Sequence, residues 1–149
     1  MLREPSRKMK RPHDGVFVVH CSSAAWQPHF QEFLKTGLGL RHYGLLAVPG
    51  GVQSLTLSEV LPKFAWAGWR WVKFLTDIDD IGRIVLIGHE DCRWYQRGPI
   101  ARFVESERKR QESDLRKSAR GFQERMAETK VELYFARMDQ GKAVFDAIG

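Results

Sequence analysis

Cysteine is scarce in this chain: only Cys21 and Cys92 occur among 149 residues. They belong to different apolar segments, so there is no Cys-x-x-Cys turn of the kind a redox-active thiol pair uses. No apolar run approaches the roughly 20 residues that span a bilayer, which excludes a helical membrane anchor within the sequence. The basic N-terminal stretch lacks an uninterrupted apolar region and a cleavage site, so no secretory signal is expected and a cytoplasmic home is. In that compartment two cysteines are expected as ligands, reactive thiols or core residues rather than as a disulfide. Internal repeats, low-complexity segments and a helix-turn-helix are also missing. What is present, 43% hydrophobic and 28% charged residues, is the composition of one ordinary globular domain with a core.

The net charge of +6 is unevenly placed. Residues 1–14 carry five Lys/Arg against Glu4 and Asp14, and residues 101–130 carry nine against six Asp/Glu. A basic field can recruit nucleic acid or anions. Without a groove-reading or base-stacking motif, these segments read as a solvated arm and a solvated helix face, and nucleic acid is not an expected partner. Residues 1–14, aperiodic and with two prolines, form the arm. Residues 15–149 form the domain.

Two apolar runs end in chemistry. Residues 83–92 read as a buried strand closing on Gly88-His89-Glu90-Asp91-Cys92, and residues 16–20 as another strand closing on Cys21. Imidazole nitrogen and thiolate are both good zinc ligands, and a Cys2His set is one that leaves zinc an open fourth position for catalysis. His20 precedes Cys21 on its strand and should point to the opposite face.

Between these strands lie two helical patterns. The first places Trp26, Phe30, Phe33 and Leu34 on one stripe, with Ser22 or Ser23 as its cap and Gly37 and Gly39 as its stop. A strand at 43–48 follows, closed by Pro49-Gly50-Gly51, whose glycines leave backbone N–H groups bare near a strand end. The second helix is expected from about Ser58 to Asp77. Its apolar surface, with Trp66, Trp69 and Trp71, is wider than one sheet face needs, so the surplus is expected to bury against a second copy in a homodimer. A long charged helix is expected from Pro99 to about Lys130. A hairpin at 131–137 and 142–147 turns through Gly141.

The Cys21 strand end, the Gly50-Gly51 turn, Gly88-His89-x-x-Cys92 and the closing hairpin follow one another as in the β-class carbonic anhydrases, which residues 15–149 resemble. The resemblance implies a three-layer α/β fold, with a mostly parallel sheet of four strands plus one antiparallel edge strand. It implies Zn2+ held by Cys21, His89 and Cys92. It implies a lyase of carbonic anhydrase type, in which a zinc-bound hydroxide hydrates carbon dioxide or a related small electrophile. Gly50 and Gly51 would then lie on the substrate side.

The chain departs from that family at the first ligand. The family reads Cys-x-Asp-x-Arg, whereas this chain reads Cys21-Ser22-Ser23-Ala24-Ala25. Ser23 and Ala25 replace the Asp/Arg pair, and Arg93 replaces the usual glycine after the second cysteine. Loss of a proton-handling carboxylate is worth ~10²–10⁴ in rate, so weak activity is expected. Ser23 can hydrogen-bond the zinc-bound group but is no base near neutral pH. Asp91, between the ligands, can act on them through hydrogen bonds. The alternative is a catalytically silent relative, in which zinc is structural or sensory and the protein is a binding module.

Overall fold

The computed structural model describes residues 12–98, 101 and 106–149. Most of the expected arm therefore lies outside the described residues. At its end, Asp14 accepts hydrogen bonds from the backbone N–H groups of Arg41 and His42 at 2.6 and 2.8 Å. These two bonds hold the Asp14 carboxyl below its ordinary range.

Five strands make one sheet in the order β2-β1-β3-β4-β5. β1 (Val16–Cys21) and β3 (Arg83–His89) are buried along nearly their whole length, which is why they read as continuous apolar runs. β2 (Gly44–Val48) and β4 (Lys130–Asp139) complete the parallel part, and β5 (Lys142–Ile148) returns antiparallel along β4. The hairpin turns at Gln140 and Gly141, both at positive φ. The expected sheet is the one observed.

Alternation along the strands divides the core in two. Phe17, Val19, Ile84 and Leu86 face a layer built from α2 (Gln53–Thr56), α3 (Pro62–Asp77) and α5 (Glu107–Arg125), where they meet Leu55, Val72, Leu115 and Phe122. Val16, Val18, Val85 and Ile87 face α1 (Gln27–Glu32) and the turn after it, which lay Phe30 and Leu34 on them. β1 leads to β2 by way of α1, on one face. β2 leads to β3 by way of α2 and α3, on the other. The carboxyl ends of β1 and β3 therefore flank the point where the winding reverses, the usual crevice of an open α/β sheet.

Several helix boundaries differ from the sequence expectation. The first helix has no Ser22 or Ser23 side-chain cap. The Ser23 carbonyl instead accepts from the N–H groups of Trp26 and Gln27, and the helix unwinds into a wider turn at Phe33–Gly37. α3 starts at Pro62 rather than Ser58, because a proline at the first helical position gives up only an N–H that would be unpaired anyway. The expected start at Pro99 falls outside the described residues. A five-residue helix, α4 (Arg93–Arg97), instead follows Cys92 directly. α5 begins after Ser106, whose hydroxyl accepts from the Lys109 N–H, and it stops at Met126 rather than at Lys130. Inside α5, the Trp69 ring packs where a side chain on Gly121 would stand. Among the described residues no helix is long and apolar enough to cross a membrane.

Candidate metal centre

Cys21, His89 and Cys92 meet where β1 and β3 end. Their ligand atoms all lie within 4.8 Å of one another, and all three residues are buried. The two sulfurs are 3.9 Å apart. Thiolates bound to one tetrahedral zinc at about 2.3 Å would stand about 3.8 Å apart, so the sulfurs are already at ligand spacing. The turn that returns Cys92 toward His89 passes through Asp91 at φ 55°. His89 Nδ1 is 2.8 Å from the Glu90 carbonyl, which can only accept, so Nδ1 carries the proton. That leaves Nε2 as a bare lone pair. It is buried and has no hydrogen-bond partner. Buried polar atoms are seldom left so, and an orphaned imidazole nitrogen beside two thiols is the donor set a soft divalent cation would satisfy. The residues fit zinc.

The electrostatics agree. Hydrogen bonding from Cys92 holds the Cys21 thiol well below its ordinary pKa, helped by the Gly50 N–H. Cys92 is pushed the other way, first by its bond to Cys21 and then by burial. One negative charge settles easily on the pair, and the second needs a cation. Among the described residues no carboxylate joins the cluster.

β1 and β3 remain paired only as far as Val19 and Leu86, whereas β3 and β4 continue to His89 and Ala136. The strands part at the site, and the backbone of His89 loses a ladder partner. Gln111 of α5 replaces it. The His89 N–H donates to Gln111 Oε1 at 3.0 Å, and Gln111 Nε2 donates to the His89 carbonyl at 2.6 Å. A side-chain amide thus stands in for a missing strand. Gly88 is required beside it, since an added Cβ would lie 2.8 Å from Gln111 Oε1. One turn earlier on α5, Glu107 accepts from the Cys92 N–H at 2.7 Å and from Gln111 Nε2. Asp114 accepts from the buried Tyr95 hydroxyl at 2.7 Å and from Gln53 and Thr56, while Gln53 accepts from the Trp94 indole.

The other residues singled out by sequence lie as follows. A Cβ on Gly50 would meet the Trp94 ring at 2.1 Å, and one on Gly51 would meet the backbone of His20 and Cys21 at 3.0 Å. Both glycines have positive φ. They let the turn pack tightly beside Cys21. Ser23 is half-buried, and its carbonyl serves the start of α1. Asp91 is exposed and its carboxylate accepts from Gln96, which also donates to Glu107. Glu90 accepts from the Met138 N–H. His20 faces α1, its ring tilted against Phe30 with centroids 4.4 Å apart, and burial lowers its pKa. The wall beside His89 is aromatic, with the Trp26 and Phe30 rings 5.4 and 5.8 Å from its own. A separate cleft of about 950 Å3 between α3 and the end of α5, lined by Trp66, Trp69, Lys117 and Met126, does not include the cluster.

Glu107, Gln111, Asp114, Trp94 and Tyr95 escape a reading of the sequence alone. Their signal is present, though. Positions 107, 111, 114 and 118 continue the spacing of the apolar stripe at 115, 119 and 122 with polar residues, which marks a helix face turned toward buried polar groups.

By sequence the chain matches no family profile and no curated protein. Its similarities are to solved structures. One is from a study of two tetrameric β-carbonic anhydrases of the filamentous ascomycete Sordaria macrospora, with TM-score 0.53 and 11% identity over 91% of this chain and 82% of that one. Another is a carbonic anhydrase of Streptococcus mutans, with TM-score 0.49 and 16% identity over the same shares. At such identity the likeness is one of fold. The mostly parallel sheet, with a Cys-His-Cys cluster at its switch point, is a β-carbonic-anhydrase-like fold.

Proposed function

We propose that Cys21, His89 and Cys92 bind one zinc ion and that the protein is a weak, carbonic-anhydrase-like lyase acting on carbon dioxide or a related small electrophile. The observation that carries the metal is the orphaned, buried His89 Nε2 facing two sulfurs at ligand spacing. Zinc in such a site supplies Lewis acidity, which activates water toward an electrophilic carbon. The chain's own residues do the rest. Glu90 fixes the His89 tautomer through its carbonyl. Gln111 and Glu107 hold the backbone of the ligand turn. Trp26 and Phe30 make an apolar wall that suits an uncharged substrate. Ser23 offers a hydrogen bond to a bound group in place of a base, and Gly50-Gly51 keeps the wall beside Cys21 thin.

One observation favours the second reading, in which zinc is structural or sensory and the protein is a binding module. No carboxylate among the described residues reaches the cluster to handle a proton. Metal analysis and stopped-flow carbon dioxide hydration decide between them. A stoichiometric zinc protein that accelerates hydration above the buffer blank supports the enzyme. A stoichiometric zinc protein with a rate equal to the blank refutes it and leaves the binding module. The partner proposed in both cases is a second copy of the chain.

A further inference from the structure

α3 buries one face and leaves another bare. Ala65, Gly68 and Val72 turn to the core, with Trp69 and Leu75 packed partly against it. On a different flank, Phe64, Trp71, Phe74 and Ile78 are 51–64% exposed, and Ala67 lies half-exposed among them. Positions 64, 67, 71, 74 and 78 alternate steps of three and four, the spacing of a seam that packs on another helix. The core does not account for this stripe, because residues at the core-facing spacing are buried already. Such a stripe, extended by exposed Val60 in the turn before the helix, exceeds the scattered apolar exposure usual on a monomer.

We propose that this seam is closed by the same seam of a second copy, with the two α3 helices antiparallel about a two-fold axis near position 69. The proposal rests on the homodimer reading and adds the face, the direction and the register. The seam is self-complementary in only one direction. Antiparallel, Phe64 meets Phe74 of the second copy, Ile78 reaches its turn at Val60, and the large Trp71 ring falls on the small Ala67. Lys63 and Asp77, flanking the seam on the same side, then lie across from each other at both ends, and the helix dipoles oppose. Parallel, Trp71 collides with Trp71, Lys63 faces Lys63, and Asp77 faces Asp77. The one like pair of the antiparallel arrangement is Arg70 with Arg70. Its guanidinium already lies over Trp66, at 5.3 Å, on the flank away from the seam.

The size is sufficient. Side chains of this kind bury about 150–250 Å2 each when aromatic, so half-exposed Phe64, Trp71, Phe74, Ile78 and Val60 offer on the order of 500 Å2 per copy. Two copies with the flanking lysine and arginine stems approach the 1,200–2,000 Å2 of a standard interface.

The test is sedimentation equilibrium on the full-length protein, with Trp71→Glu as the first variant and circular dichroism as the check that it is folded. The wild type is expected as a dimer. Trp71→Glu should weaken association about 30-fold or more, the scale of a central aromatic anchor. Direction is read separately by a short bismaleimide. Lys63→Cys and Asp77→Cys chains should cross-link when mixed, and neither should cross-link alone. Charge exchange gives a readout if Trp71→Glu fails to fold: Lys63→Asp should weaken the dimer, and adding Asp77→Lys should restore it. A monomeric wild type overturns the proposal and the homodimer reading together. A dimer indifferent to Trp71→Glu and to Lys63→Asp overturns the seam but leaves a homodimer through another face. A dimer broken by Trp71→Glu, in which Lys63→Cys cross-links to itself, overturns the antiparallel register.

Discussion

Replacing Gln111 with leucine tests whether the α5 amide holds the metal site or only fills space. Leucine has similar length and a helix propensity at least as good, so α5 itself is not at risk. What is lost is the amide that stands between the parted strands. The His89 N–H and carbonyl would both be left buried without a partner, since His89 is 1% exposed and β1 has already diverged. Each such orphan costs about 1–3 kcal/mol. Offset by the apolar burial of leucine, the net loss should be about 2–4 kcal/mol in urea unfolding of the metal-free protein, or roughly 5–12 °C in Tm for a chain of this length. The second readout is zinc affinity by chelator competition. The Gln111 bonds fix the backbone that carries the His89 ring, so affinity should fall ~10–100-fold, as when the outer hydrogen bonds of a metal ligand are removed. Ser118→Ala is the control. Ser118 is equally buried on the same helix but bonds the Val52 carbonyl, so its loss should lower stability by about 1 kcal/mol and leave zinc affinity unchanged. If Gln111→Leu matches Ser118→Ala in both measurements, the amide is ordinary packing and the positioning argument fails.

Cys21→Ser, His89→Ala and Cys92→Ser should each reduce bound zinc below stoichiometry in metal analysis, and full occupancy in any of them would remove that residue from the ligand set. Gly50→Ala forces a left-handed backbone on alanine, costing about 1–2 kcal/mol, and also requires the Trp94 ring to move from 2.1 Å. It should lower Tm and change the near-ultraviolet tryptophan signal together, and a Tm loss with an unchanged signal would show that Trp94 is not what confines Gly50. Asp114→Ala leaves the buried Tyr95 hydroxyl without its acceptor and should destabilise by about 1–3 kcal/mol in urea unfolding. An unaffected midpoint would mean that the hydroxyl finds another partner.

The strands were legible because burial on both faces leaves long apolar runs, and the ends of those runs carried Cys21 and His89. The hairpin through Gly141 was legible for the same local reason. Boundaries that depend on contacts distant in sequence were not. Ser58 and Glu59 look like a helix start, yet Pro62 is where α3 begins, and the four-residue α2 is too short to show a period. The glycine at position 50 has a cause more than forty positions later, since the Trp94 ring packs where its Cβ would stand. The stripe Glu107, Gln111, Asp114 and Ser118 is the clearest case. Hydrophobic periodicity ignores polar residues on an inward face, and the groups they satisfy belong to β3, the ligand turn and α2, all distant in sequence.

Metal binding and turnover are physically separable in this chain. The three proposed ligands are tied to the core. Cys21 and His89 end buried strands, and the backbone of Cys92 is held by Glu107. Altering any of them disturbs packing as well as coordination. Residues 23 and 25 belong to the loop that enters α1, where only the Ser23 carbonyl has a structural task and Ala25 is exposed. Any residue can supply that carbonyl. An acid and a base at these positions could therefore be gained or lost without moving the sulfurs or the imidazole. The fold constrains the candidate metal centre tightly and positions 23 and 25 hardly at all, so the geometry supports the proposed metal more strongly than the proposed reaction.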